Sequence, residues 1–368
     1  MKRNDSRSGL ARSILLLTLG ILTLALLWIG TYFWVDRSSR DLLYRKDSPT
    51  TALARLEAWS PWMFSPNSWK WLRAEAHRKL GDRVRVNRLV DEMAASGLPS
   101  IQATSPLLLL DASAGVPGKV KENLGPLLIL YKANGSEVLG SLVQGFLNQG
   151  DLVSASQTLR LWTELFESDP KASFWKGVHS TISYDLDGAL QAFRNAIALD
   201  PEDVRAHQEL SEVLIEKANF EEARKEYEWL ISRKQESPEI ITGYARSLLN
   251  LGYPDLAAEQ LKKLKDVSKL RSPELALVCE TNLEAGQVQE ASDQAAILLK
   301  RWPDALPYLQ LQARCLAKLG KGPESEKLFA QAAESQKQRP LVDQMIDKLS
   351  TDSSNQPLRR DMGELMMN

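Results

Sequence analysis

The chain is poor in the residues that most chemistry requires. Its 368 residues include two cysteines, Cys279 and Cys315, and three histidines, His77, His179 and His207. Two thiols exclude a disulfide framework and any four-cysteine zinc or iron–sulfur site. The histidines form no His-Glu-x-x-His arrangement and no carboxylates of ligand spacing surround them, so neither a metal nor another cofactor is expected. A phosphate-cradling G-x-x-x-x-G-K-[ST] and a dinucleotide G-x-G-x-x-G are both missing. An excess of one charge is missing too. Lys plus Arg number 46 against 47 Asp plus Glu, a net of −1, so no chain-wide field would hold nucleic acid. The expectation is a non-enzyme with no nucleic-acid partner and no small-molecule substrate.

What is present begins with a long apolar run. Residues 14–35, ILLLTLGILTLALLWIGTYFWV, carry no charge over 22 positions, which as a helix spans roughly 33 Å, the thickness of a bilayer's hydrocarbon core. The run exceeds the apolar region of a cleaved signal peptide and no A-x-A-like site follows it, which favours a signal-anchor. A core helix is disfavoured because the run has no polar stripe. Lys2, Arg3, Arg7 and Arg12 precede it against Asp5 alone, so residues 1–13 are expected in the cytoplasm and the rest of the chain on the extracytoplasmic side. Trp28, Tyr32, Phe33 and Trp34 crowd its far end, where amphipathic rings prefer the headgroup layer. Beyond residue 35 the chain is mildly acidic, at net −4.

From residue 136 the sequence repeats every 34 residues without gaps, in six blocks starting at Ser136, Pro170, Val204, Pro238, Ser272 and Leu306. Position 20 is Ala155, Ala189, Ala223, Ala257, Ala291 and Ser325; position 8 is Val143, Gly177, Ser211, Ala245, Cys279 and Ala313. Antiparallel helices approach closely only where facing side chains are small, and the larger residues at position 24, among them Leu159, Phe193 and Tyr227, fill the adjoining hollow. Gly150, Gly252, Gly286 and Gly320 stand at position 15, where a turn between two helices wants positive φ. Prolines fall at the block junctions and end or open helices there. Each block therefore reads as helix, turn, helix.

In these residues the sequence resembles the tetratricopeptide repeat family. Block 170–203 carries the pattern best, with Gly177, Ala189, Phe193, Ala196 and Pro201 at family positions 8, 20, 24, 27 and 32, although Lys176 and Ser180 replace its large residues at 7 and 11. The resemblance implies an all-α fold, a right-handed α-solenoid, here preceded by one transmembrane helix. The expected organisation is a basic N-terminus over 1–13, the transmembrane helix over 14–35, degenerate helical repeats over 36–135, six repeats over 136–339, a capping helix over 340–350 and a loose tail over 351–368.

The resemblance also implies a binding groove lined from positions 2, 5, 6, 9, 12 and 13 of the first helices. Here these positions include Glu209, Glu212 and Glu216, then Arg246 and Asn250, Glu280 and Glu284, and Arg314 and Lys318. The family's clamp for chaperone tails needs lysine at 5 and asparagine at 9 with basic residues following, and no consecutive trio supplies it. The cysteines fall at positions 8 and 10 of neighbouring first helices and read as buried packing residues. Trp59, Trp62, Phe64, Trp69 and Trp71 form an aromatic cluster that either packs the first repeats, the favoured reading, or touches a membrane or partner. The functional expectation is a membrane-anchored scaffold that binds a protein or peptide partner near the bilayer, in a single-pass protein of a bacterial inner membrane. An accessory factor of bacterial envelope assembly is the alternative, although two cysteines rule out the member of that class ending in a four-cysteine metal ribbon. An enzyme with an unrecognised site ranks third.

Overall fold

The structure, a computed structural model, describes the backbone of residues 5–60, 67–264 and 266–351, with side chains for residues 18–60, 67–264, 266–267 and 269–336. The described residues are helical throughout, without strands. The chain divides into two compact units, one up to Pro201 and one from Glu202. The first holds α1 (Asp5–Tyr44), α2 (Pro49–Trp59), α3 (Asn67–Lys79), α4 (Arg83–Ala95), α5 (Ser100–Ser113), α6 (Gly118–Glu122), α7 (Leu124–Tyr131), α8 (Gly135–Asn148), α9 (Leu152–Leu165), α10 (Pro170–Ile182) and α11 (Leu186–Leu199). The second holds α12 (Val204–Glu216), α13 (Phe220–Ser232), α14 (Pro238–Asn250), α15 (Pro254–Leu261), α16 (Ser272–Glu284), α17 (Val288–Arg301), α18 (Leu306–Lys318) and α19 (Gly322–Thr351).

The first helices α8, α10, α12, α14, α16 and α18 begin within one residue of the block starts. All twelve residues at positions 8 and 20 are buried. Contacts between these positions can be seen directly. Cys279 at position 8 donates its thiol to the position-20 carbonyl of Ala291 at 3.0 Å, and Ser325 at position 20 donates to the position-8 carbonyl of Ala313 at 2.8 Å. A Cβ on Gly177 would stand 2.5 Å from the Phe193 ring, so in this block position 8 must be glycine to admit the phenylalanine at position 24.

The turn at position 15 is the same device in every block. The residue's own N–H bonds a carbonyl three residues back and the next N–H reaches five back, as in Gly150 to Leu147 at 3.0 Å and Asp151 to Phe146 at 2.8 Å, a Schellman closure. It requires positive φ, and Gly150, Gly252, Gly286 and Gly320 lie between +74° and +85°. In the two blocks without glycine, Tyr184 and Ala218 are forced to +57° and +56°, a conformation that costs an L side chain about 1 to 2 kcal/mol. The backbone bonds thus dictate the geometry, and glycine only makes it cheaper.

One expectation is corrected. A separate capping helix over 340–350 is not formed, because α19 runs unbroken from Gly322 to Thr351. Pro340 removes one backbone hydrogen bond without ending the helix, as Pro106 does inside α5. Within the expected degenerate repeats, residues 102–135 are irregular: the second helix is split into α6 and α7, and Lys121, at position 20 of the same register, stays exposed with its ammonium 5.8 Å from the Phe146 ring centre, since a lysine cannot fill a slot made for alanine. The expected tail over 351–368, Trp62 and Phe64 lie outside the described residues, apart from the last helical position, Thr351.

In the first unit, α1 joins the apolar run to the repeats without a break. Leu19 to Trp34 are largely exposed, whereas Val35, Ser39, Leu42 and Leu43 are buried. Tyr32 stacks on Trp69 at 5.4 Å and 9° between planes and hydrogen-bonds Ser68 at 3.0 Å. Trp69 and Trp71 are core residues, and Trp71 donates its indole N–H to Ser105 at 3.1 Å. Packing therefore begins at Tyr32, inside the run expected to end at residue 35.

A buried ionic network holds these pieces together. Arg78 donates to Glu75 at 2.9 Å and to Glu137 at 3.0 Å; Lys79 and Lys171 reach the other oxygen of Glu137 at 3.0 and 2.8 Å. Tyr131 donates to Glu75 at 2.8 Å, Tyr44 of α1 at 3.4 Å, and Lys79 also holds Asp47 at 2.8 Å. Burial would raise the Glu137 carboxyl, but Arg78, Lys171 and Lys79 outweigh it and hold it far below the usual carboxylate range.

In the full-length protein in detergent, the turn, the helix contact and the network each have a measurable consequence. Ala218→Gly raises stability by about 0.5 kcal/mol, strain relief less glycine's entropy, while Gly252→Ala lowers it by about 1 kcal/mol; equal signs in denaturant unfolding would refute the turn account. Ala189→Leu adds methylenes at a closed helix contact and costs about 1 to 3 kcal/mol. Glu137→Ala takes a buried partner from Arg78, Lys79 and Lys171 and costs about 3 to 5 kcal/mol. Because the folded Glu137 pKa lies below the unfolded one, its contribution is present above the unfolded pKa and is lost as pH falls. From about pH 5 to about pH 3 the wild type therefore loses more stability than Glu137→Gln, and equal losses would contradict the network.

Candidate partner-binding groove

The second unit presents positions 9 and 13 of four first helices, which carry Glu212 and Glu216 on α12, Arg246 and Asn250 on α14, Glu280 and Glu284 on α16, and Arg314 and Lys318 on α18. Glu209 sits at position 6 of α12. Glu216, Asn250, Glu280, Glu284, Arg314 and Lys318 are exposed, and Glu209, Glu212 and Arg246 are half-buried. Helical spacing puts Glu209, Glu212 and Glu216 on one face.

The structure gathers some of these residues around Tyr227. This phenol is fully buried at position 24 of α13 and donates to Glu212 at 2.8 Å. Gly243 at position 6 of α14 makes room for it, since a Cβ there would stand 2.2 Å from the Tyr227 oxygen. Burial first and Glu212 second push the phenol's pKa well up, with Arg246 opposing, so the hydroxyl remains a donor. Burial and the neighbouring Glu212 also raise the Glu209 carboxyl. Glu212 is thus partly a structural acceptor, which reading it as a groove charge had missed; the available signal was a tyrosine at position 24 followed by a glycine at position 6 of the next block. Next to this cluster Tyr244 donates to Glu228 at 3.1 Å, and its hydroxyl is pushed up to about 12 by burial and by that carboxylate.

Further along, Arg314 pairs with Glu284 at 2.7 Å and Lys318 donates to the carbonyl of Leu283 at 3.2 Å, while Asn250 bonds its own helix at Arg246. The Arg314–Glu284 pair is exposed, a class of ion pair worth ~0 to 1 kcal/mol. Equivalent positions of the first unit differ. There Glu75, Arg78, Lys79, Glu137 and Lys171, at positions 9, 12, 13, 2 and 2, belong to the buried network and are already saturated.

The remaining candidates are dispersed. His77 is buried near Asp82 and pushed down by that burial, His179 contacts the Leu152 carbonyl at 3.1 Å, and His207 bonds Glu226 at 2.6 Å while stacking on Trp229. Cys279 and Cys315 are both buried free thiols, and the neighbouring Cys315 together with burial raises Cys279.

Residues 182–240 and 281–340 each match a family model described as tetratricopeptide repeat. No curated protein matches the chain in sequence. Similar solved structures include YrrB, described as a tetratricopeptide repeat protein with an unusual peptide-binding site, at 17% identity, 48% of this chain, 92% of that one and a TM-score of 0.43. PilW, described as a widely conserved type IV pilus biogenesis factor, is 16% identical over 53% of this chain and 91% of its own, with a TM-score of 0.46. PilF of Pseudomonas aeruginosa is 15% identical over 62% and 96%, with a TM-score of 0.44. With the 34-residue register, the closed contacts at positions 8 and 20 and the two matched segments together, this chain contains tetratricopeptide repeats.

Proposed function

We propose that the protein is a membrane-anchored scaffold whose second unit binds a protein or peptide partner close to the bilayer. The observation that carries this reading is the change of exposure along α1. Its apolar stretch from Leu19 to Gly30 lies open among the described residues, Tyr32 makes the first ring contact with the repeats, and from Val35 onward the same helix is packed into them. A lipid phase is the medium that such a surface fits. The repeats then stand at the interface, and Glu216, Glu280, Glu284, Arg314 and Lys318 of the second unit remain exposed where the charges of the first are consumed internally. Glu209 and Glu216 flank Glu212 on one face, and like charges so spaced repel by a few tenths of a kcal/mol each, so they suit a ligand bearing basic residues. In this arrangement residues 1–13 face the cytoplasm of a bacterial cell and the repeats lie outside the inner membrane, because the short leading segment carries the basic residues.

Two measurements test this. Single cysteines at Ser6 and Ser353, with Cys279 and Cys315 replaced, are expected to react with an impermeant thiol reagent from outside only at position 353; labelling only at position 6 would invert the topology. Glu209→Gln combined with Glu216→Lys, which spares the bond from Tyr227 to Glu212, is expected to weaken capture of a lysine-rich probe peptide at least about tenfold at low salt without loss of helicity. Unchanged capture by that variant would remove the acidic face from the binding site.

A further inference from the structure

The end of the apolar stretch on α1 opens onto a cavity of about 460 Å³ whose lining includes Trp34, Arg37, Arg40, Asp41, Tyr44 and Arg45. Three arginines face one carboxylate there. Asp41 is engaged by Arg45 at 3.8 Å and by Lys46 at 3.6 Å. Arg40 spends its Nε on Asp36 at 2.8 Å, which leaves the terminal amino groups of a five-donor side chain. Arg37 is exposed and makes no ion pair among the described residues. The cavity is therefore cationic, and its walls are held: Trp34 lies under the Arg55 guanidinium at 5.2 Å, and Arg40 lies 5.8 Å from the Trp71 ring centre.

Position along the helix selects the ligand. At 1.5 Å per residue, Arg37 and Arg40 stand about 4.5 and 9 Å beyond Trp34. With Trp34 at the edge of the hydrocarbon, the first lies within a headgroup layer roughly 5 to 8 Å deep and the second just beyond it, close enough for its long side chain to reach back. We infer that this cavity binds the phosphate of an anionic glycerophospholipid, with Arg37 and Arg40 as its donors and the acyl chains running along the apolar face of α1 through Leu27 and Thr31. Trp34 closes the boundary between the two parts. The inference rests on the anchored reading of α1, and it adds a lipid ligand to a chain whose repeats address protein.

Native mass spectrometry of the full-length protein in neutral detergent tests it, with phosphatidylglycerol and phosphatidylcholine of identical acyl chains as probes. The wild type is expected to retain phosphatidylglycerol at least about fivefold more strongly, and Arg37→Gln to lose about fivefold of that preference, the increment of one interfacial arginine. Arg37→Lys keeps most of it. Because Lys2, Arg3, Arg7 and Arg12 also attract anionic lipid, dependence on Arg37 is the deciding result. Equal retention of the two lipids, or an unchanged preference in Arg37→Gln at unchanged helicity, overturns the site. Displacement of phosphatidylglycerol by excess inorganic phosphate would assign the cavity to free phosphate and overturn the lipid reading. Flotation with neutral phosphatidylcholine vesicles separates the two levels. If wild type and Arg37→Gln both float while no lipid preference exists, only the headgroup site fails; if neither floats, the anchor fails and the site with it.

Discussion

Every repeat depends on two helices coming close enough to bury one another, and this is a constraint on side-chain size at two positions. The methylenes excluded at positions 8 and 20 leave room for backbone carbonyls to accept from Cys279 and Ser325, and for the rings at position 24 to fill the space that remains. The turn at position 15 follows from the same requirement. Two helices held so near can be joined only by a closure that folds the chain back within a few residues, and that closure enforces positive φ whatever residue stands there. Stability in such an array passes between neighbours, so a local overpacking is felt beyond its own repeat.

In the first unit a second interaction is added. Charges that would line an open face are drawn into a network around Glu75 and Glu137, which ties α1, α3, α7, α8 and α10 together. Such a network contributes little net energy over an apolar core but is costly to break, because each missing partner strands an opposite charge out of water. Its consequence is mechanical. The helix that carries the apolar stretch is pinned to the repeats by rings at Tyr32 and Trp69 and by polar bonds at Tyr44, with no linker between them.

What the sequence made legible was what depends on size and spacing. Small residues at positions 8 and 20 and glycine at 15 announced the register, and the uncharged run announced α1. Tyr184 and Ala218 hid their turns, because the demand for positive φ comes from backbone hydrogen bonds and not from the residue. The ionic network was not legible at all. Arg78 and Glu137 are 59 residues apart, and each resembles an ordinary charge on a solvated helix face until the fold brings them to 3.0 Å. Glu212 was read as a groove charge for the same reason, its bond from Tyr227 being invisible before α13 is placed. Pro340 suggested a break that α19 does not make.

The central claim is that one helix serves as both the membrane anchor and the first packed element of the repeats. It is tested most directly by a spin-label distance distribution between Thr23 on α1 and Val84 on α4, measured in the full chain in lipid nanodiscs with Cys279 and Cys315 replaced. A single narrow distribution is predicted, as sharp as that of a control pair such as Val84 and Val153 within the repeats. A broad distribution for the first pair beside a narrow one for the control would show a flexible tether, and would contradict the account.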